Sequence, residues 1–290
     1  MIKQVDYFLE GGSQGVLLIH GLTGTPTEMR FIAKGLQKQG FTVYAAQLSG
    51  HCGSVDDLLA TGWRDWADSV AAAAEKLSAK VDRMFIGGLS MGALLALNQA
   101  IEYPHNVAGL ALYGVTFRHD GWSVPAIGRL SFLLPWVIPM GIGRHRVFIE
   151  SYPYGLKDER MRKRVVEAMS AGDSSTAGLP GHPWPALAEL FRLSRRVRAR
   201  LGKVYAPTLV VHARQDDIAS FQGNAEVVLQ GVHAPTELLA LEESYHMVTL
   251  DGERQRVIDR SVGFFQRLAR SPRPETEGEE HFGLDALAVE

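Results

Sequence analysis

Residues 84–97 read Met84-Phe85-Ile86-Gly87-Gly88-Leu89-Ser90-Met91-Gly92-Ala93-Leu94-Leu95-Ala96-Leu97. A short apolar run, suited to a buried strand, meets a helix-forming run. Between them, Gly88 to Gly92 holds a serine flanked by two glycines. A sharp strand-to-helix turn of this kind pushes one hydroxyl outward as a nucleophile. The glycines are needed because strand and helix backbones close together there, leaving no room for a Cβ. The five-residue pattern alone is common by chance, but its strand-turn-helix setting is not. Ser90 is therefore the first candidate catalytic residue.

The same alternation extends outward from this turn. Upstream, Val16-Leu17-Leu18-Ile19 reads as a buried strand followed by the turn Gly21 to Pro26. Thr27 to Gln39 reads as a helix with Met29, Ile32, Ala33 and Leu36 on one face, stopped by Gly40. Phe41 to Ala46 is the next strand and Trp63 to Leu77 an alanine-rich helix. Downstream, Val107 to Tyr113, Thr208 to Val211 and Glu237 to Leu241 read as strands, and Arg254 to Leu268 as a closing helix. Strands alternating with helices predict an α/β fold with a mostly parallel central sheet.

The rhythm breaks between Gly114 and Ala206. Residues 115–205 are expected to form an inserted, mainly helical cap, leaving 1–114 and 206–270 as the α/β core. Within the insertion, Trp122 to Ile142 is unusually apolar and is punctuated by Pro135, Pro139 and Gly141. Residues 271–290 carry Pro272, Pro274 and five glutamates, the composition of a disordered acidic tail.

Bulk properties narrow the class. Hydrophobic residues make up 46% of the chain and charged residues 21%, enough apolar mass for a sizeable core in a soluble protein. A net charge of −2 gives no reason to expect nucleic acid as a partner. The lone cysteine, Cys52, excludes an intrachain disulfide framework and fits a reducing compartment. No signal peptide or membrane-spanning run is visible, so the expected location is the cytoplasm.

A serine hydroxyl needs a base, and a histidine oriented by a buried carboxylate supplies one. In a parallel sheet these groups project from the carboxyl ends of strands. Two loops qualify. His212-Ala213-Arg214-Gln215-Asp216-Asp217 follows one predicted strand, and Ser244-Tyr245-His246 follows the last. The order Ser90, Asp216, His246 is that of an α/β-hydrolase. His246 is preferred as base over His212, which belongs to a strand end. Asp216 is preferred over Asp217 because Ile218 stands two residues beyond it; Asp217 is expected to face solvent or cap the next helix. His105, His119, His145, His182, His233 and His281 are expected to be solvated. Two N–H donors are needed for the oxyanion, and the Met91 and Leu22 amides suit the role.

The motifs His20-Gly21-Leu22-Thr23-Gly24-Thr25-Pro26, Leu48 to Gly53, Gly62 to Trp66, Gly88 to Gly92, Ala213 to Asp217 and His246 to Asp251 occur in register. As an ordered set they resemble the bacterial carboxylesterase and monoacylglycerol lipase branch of the α/β-hydrolases, over about residues 14 to 115 and 206 to 268. The resemblance implies a serine esterase with a small lid and neither metal nor organic cofactor. It assigns nucleophile, acid and base to Ser90, Asp216 and His246, and the oxyanion donors to Leu22 and Met91. Cys52 departs from the glycine usual after Gly50-His51.

The expected function is hydrolysis of apolar acyl esters, with a small lipophilic ester as the partner. The same triad also serves a thioesterase, amidase, lactonase or acyltransferase, and a non-catalytic receptor could keep the scaffold. Cys52 reads as an inert loop thiol. Arg192, Arg195, Arg196, Arg198 and Arg200 read as the solvated side of a helix whose other side carries Leu190, Leu193 and Val197.

Overall fold

A computed structural model describes residues 2–271 of the chain; the tail expected to be disordered lies, but for Ser271, outside the described residues. Seven strands form the main sheet: β1 (Tyr7–Leu9), β2 (Gln14–Ile19), β3 (Thr42–Ala46), β4 (Arg83–Leu89), β5 (Leu110–Tyr113), β8 (Thr208–Ala213) and β9 (Thr236–Leu241). Their spatial order is β1-β3-β2-β4-β5-β8-β9. Every pair is parallel except β1 with β3. This is the mostly parallel α/β sheet that the strand–helix alternation predicts. The antiparallel edge strand β1 was not expected, because Tyr7-Phe8-Leu9 is too short to show a period.

Both faces of the sheet are covered, which is why the strands read as continuous apolar runs. Side chains alternate across the pleat. Val16 and Leu18 of β2, Val43 of β3 and Phe85 of β4 pack with Ile32, Leu36, Phe264 and Phe265. Those partners come from α1 (Arg30–Lys38) and α10 (Arg254–Arg270). Leu17, Ile19, Ile86 and Leu112 face the other way, toward α3 (Trp63–Ser78) and α4 (Met91–Glu102), on which α8 (Trp184–Arg198) packs in turn. Truncating a fully buried side chain such as Phe85 to alanine costs about 3–5 kcal/mol. Helix α4 is buried from Met91 to Ile101 because sheet, α3 and α8 enclose it on all sides.

Between β5 and β8 lie α5 (Leu134–Val137), β6 (Val147–Ile149), α6 (Glu159–Ser170), α7 (Ser174–Ala177), β7 (Gly181–Pro183) and α8. Strands β6 and β7 pair as a separate antiparallel ribbon. Helix α8 buries Leu187, Leu190, Leu193 and Val197 in the same cluster as the sheet. Its Arg195, Arg196 and Arg198 are exposed, whereas Arg192 is half-buried and donates to Glu189 and the Pro135 carbonyl; Arg196 and Arg200, the latter just beyond the helix, pair with Glu102. The stretch 122–142 forms short helical turns, and Ile127, Leu130, Phe132, Trp136 and Met140 remain exposed. Two shorter elements, α2 (Val55–Leu59) and α9 (Phe221–Gly231), complete the core. Among the described residues, no helix is long and apolar enough to cross a membrane.

Candidate active site

Ser90 stands at the junction of β4 and α4 with φ 56° and ψ −114°, a strained conformation for a residue with a side chain. The strain persists because the turn has no slack. A Cβ on Gly88 would fall on the Gly92 carbonyl, and one on Gly92 would fall on the Ile19 carbonyl at the end of β2. The flanking glycines therefore let α4 start directly against two strand ends.

The three residues chosen from sequence meet at the carboxyl ends of β4, β8 and β9. Ser90 Oγ lies 3.0 Å from His246 Nε2. His246 Nδ1 lies 2.9 Å from Asp216 Oδ2 and 3.1 Å from Oδ1. Asp216 Oδ1 also accepts the Ile218 and Ala219 amides, at 2.9 and 2.7 Å. With Nδ1 bonded to a carboxylate that is already an acceptor, Nδ1 carries the proton and Nε2 is left to face Ser90. Burial alone would push the imidazole pKa down. The charge and hydrogen bond of Asp216 outweigh it, so His246 is raised above its ordinary value. Burial opposes ionisation of Asp216, and the imidazole facing it reverses this, holding the carboxyl below the usual range.

His212 is fully buried in β8, its Nε2 donating to the Ala219 carbonyl at 2.8 Å. Asp217 does not face solvent. It is fully buried, and its carboxylate accepts the His246 amide at 3.2 Å and the Gly155 amide at 3.1 Å. Two stranded amides outbid water for that side chain, an arrangement that adjacency to Asp216 gave no means of reading. Burial, with the Asp216 charge beside it, raises its pKa to about 6. His119 and His182 also depart from expectation. Both line the pocket in front of Ser90, and burial drives His119 down to about 3. His105, His145 and His233 are exposed as expected, and His281 lies outside the described residues.

The Met91 amide opens α4, where the first N–H groups have no acceptor within the helix and the helix dipole favours negative charge. Leu22 follows Gly21 in the loop after β2, and a Cβ on Gly21 would lie 3.6 Å from the Ser90 Cβ. Met91 thus adjoins Ser90 in the chain, and Leu22 lines the same pocket as Ser90. His20, neutral because burial pulls its pKa to about 3, donates from Nδ1 to the Gly21 carbonyl and accepts the Leu48 amide at Nε2.

Sequence reading missed three groups. Thr116 Oγ1 lies 3.2 Å from Ser90 Oγ and donates to the Gly114 carbonyl at 3.0 Å. Glu28 lines the pocket and accepts the Gly21 amide at 3.0 Å. Burial raises its carboxyl to about 7, against the pull of that hydrogen bond. The spacing Thr25-Pro26-Thr27-Glu28 is a helix-start pattern that could have flagged it. Glu150, paired with His182 at 3.1 Å, is the third; nothing in its sequence neighbourhood marks it. Among the described residues, no three His, Cys, Asp or Glu side chains are grouped as metal ligands would be. Cys52 is buried and its thiol is pushed up to about 12, so it holds no reactive thiolate at neutral pH.

Ser90 opens into a cavity of about 320 Å³. Its far walls are apolar, formed by Leu130, Leu134, Val165, Met169 and Leu190 among others.

The family model described as serine aminopeptidase, S33, matches residues 13–253. The chain belongs to this family. Among curated relatives, the thermostable monoacylglycerol lipase of Bacillus sp. strain H-257 is 30% identical over 264 residues, 91% of this chain and 94% of the relative. The carboxylesterase of Bacillus subtilis strain 168 is 28% identical over 274 residues, 92% and 98% of the two chains. A solved structure from work on the metagenome-derived lipolytic enzymes LipS and LipT superposes with a TM-score of 0.76 at 26% identity, covering 90% of this chain and 97% of that one. The monoacylglycerol lipase of Paleococcus ferrophilus shares the fold, with a TM-score of 0.74 at 17% identity over 92% and 100%. This hydrolase therefore has the α/β-hydrolase fold of the esterase and lipase branch that its motifs resemble.

Proposed function

We propose that this hydrolase cleaves carboxylic esters of lipophilic acyl groups, monoacylglycerols among them, through an acyl-enzyme. Ser90 Oγ attacks the ester carbonyl carbon while its proton passes to His246 Nε2. The carbonyl π electrons move onto oxygen, and the Leu22 and Met91 amides receive the oxyanion. Collapse expels the alcohol, which takes its proton from His246. A water then gives its proton to His246 and attacks the acyl carbon, and a second collapse releases the acid and restores Ser90. Asp216 stays ionised throughout, holding the imidazole and stabilising its cation. Residues 115–205 act as the cap whose apolar wall shelters the acyl chain, at about 0.8 kcal/mol per buried methylene.

One observation carries this reading: hydroxyl, imidazole and carboxylate follow one another at 3.0 and 2.9 Å beside an apolar cavity. The relatives named for lipase and esterase activity point the same way. The test is turnover of p-nitrophenyl esters from acetate to palmitate, with a monoacylglycerol alongside. Ser90→Ala is expected to lose turnover by on the order of 10⁴-fold or more, and to resist a fluorophosphonate that labels the wild type. Undiminished hydrolysis in that variant overturns the proposal. A thioester, an aminoacyl p-nitroanilide and an added alcohol acceptor in the same series separate esterase from thioesterase, aminopeptidase and acyltransferase.

A further inference from the structure

Glu28 carries a half-buried carboxyl group that lines the pocket, and the ester chemistry gives it no step. Its Oε2 accepts the Gly21 amide at 3.0 Å. Its other oxygen lies against Gly24, so closely that a Cβ there would collide with the carboxyl group. The carboxyl thus fills the inside of the turn from Gly21 to Gly24, which also closes on itself through the Gly24 amide and the Gly21 carbonyl at 3.3 Å.

The direction of the Leu22 N–H depends on that turn. Gly21 has no Cβ to restrict its φ and ψ, so local sterics leave the next peptide plane free to swing. Contacts from outside must fix it. His20 Nδ1 holds the Gly21 carbonyl at 2.8 Å, which belongs to the same peptide plane as the Leu22 N–H. Glu28 holds the preceding plane by its N–H. Only the two Gly21 dihedrals separate the two planes.

We propose that Glu28 is a positioning residue for the oxyanion loop: seated inside the 21–24 turn, its carboxyl group aims the Leu22 amide at the developing oxyanion. The proposal rests on the ester-hydrolase reading for its catalytic consequence. Glu150, His246 and the Cys52 thiol lie within electrostatic reach of the same carboxyl group. The clamp needs an acceptor oxygen and not a charge, so glutamine serves it and alanine does not.

The experiment compares wild type, Glu28→Gln and Glu28→Ala at a temperature well below each variant's Tm. Three quantities are read: kcat and KM on a p-nitrophenyl ester, inhibition by phenylboronic acid, and amide hydrogen exchange over residues 20–25. A misaimed group costs up to about 10²-fold. Glu28→Ala is expected to lose about 10- to 100-fold in kcat with KM within about twofold, and its boronate Ki to rise by the factor lost in kcat/KM. Exchange over 20–25 should quicken in Glu28→Ala alone, with Glu28→Gln staying within about threefold of wild type in kcat. Unchanged exchange in Glu28→Ala, a loss confined to KM, or equal impairment of both variants overturns the proposal. Failure of the ester-hydrolase reading looks different: the wild type itself turns over no ester, while the exchange comparison still reports on the clamp.

Discussion

The two walls of the pocket are held in different ways. On the sheet side, Ser90, His246 and Asp216 each have at least two polar partners. Asp216 is anchored by two amides as well as by His246, and the His246 loop is tied by Asp217 to Gly155. On the side built from residues 123–190, apolar side chains share a volume with few directional contacts, and Ile127 is 72% exposed. Bond chemistry depends on reacting atoms held to a fraction of an ångström, whereas an acyl chain needs only a dry volume of the right length. The contrast implies that substitutions on the first wall change rate and those on the second change choice of substrate.

The adjacent aspartates sharpen that contrast most. Asp216→Asn is expected to lower kcat by about 10⁴-fold, because an amide facing Nδ1 turns the imidazole to the wrong tautomer. Asp217→Asn keeps one acceptor oxygen for its two amides and touches no ring atom. It should cost about tenfold, the worth of one buried hydrogen bond. Both are read from steady-state kinetics on one p-nitrophenyl ester. Equal losses would show that the imidazole depends on its loop as much as on its carboxylate.

The pH profile tests the same wall. His246, the proposed base, can take a proton only when neutral, so kcat/KM should rise with pH through its pKa. Burial disfavours the imidazolium, but the Asp216 carboxylate overrides it. The protonated form therefore persists to higher pH than in a free histidine, and the midpoint should lie above about 6.5. A midpoint well below that value means the carboxylate does not govern the ring.

A smaller effect, of a different kind, is expected across the pocket. Val165→Trp fills part of the apolar cavity. The ratio of octanoate to acetate turnover should fall by roughly fourfold for each methylene excluded, the equivalent of about 0.8 kcal/mol. A ratio that stays constant while both rates drop would place Val165 with the rate-setting groups and break the division between the walls.

Legibility in the sequence followed the same line. β2, β4 and β8 were readable because burial on both faces makes them unbroken apolar runs, and Gly88 and Gly92 punctuate the turn between β4 and α4. Ser90, Asp216 and His246 followed from strand ends and chain order. β1 and the β6–β7 ribbon were not readable, since three-residue strands such as Val147-Phe148-Ile149 carry no resolvable period. Thr116 and the buried role of Asp217 escaped for another reason. Each acts through a backbone amide, a carbonyl or a hydroxyl brought near only by folding, and polar residues in loops look alike before then. The half-exposed run 122–142 reads as buried by composition alone, yet several of its side chains stand in solvent.

The slightest change on the sheet side is expected at Thr116. Its one hydroxyl proton can serve the Gly114 carbonyl at 3.0 Å or the Ser90 oxygen at 3.2 Å, but not both at once. When Ser90 donates to His246, the Thr116 proton is free to turn toward the Ser90 oxygen and hold its rotamer for attack. A neutral hydrogen bond of this kind is worth about 0.5–1.5 kcal/mol, or roughly two- to tenfold in rate. Thr116→Val should therefore lower kcat within that range and leave the acidic midpoint of the pH profile where it is. Thr116→Ser keeps the hydroxyl and should restore the rate. If valine and serine give the same kcat, the hydroxyl has no part in orienting Ser90, and its bond to Gly114 serves the β5 terminus alone.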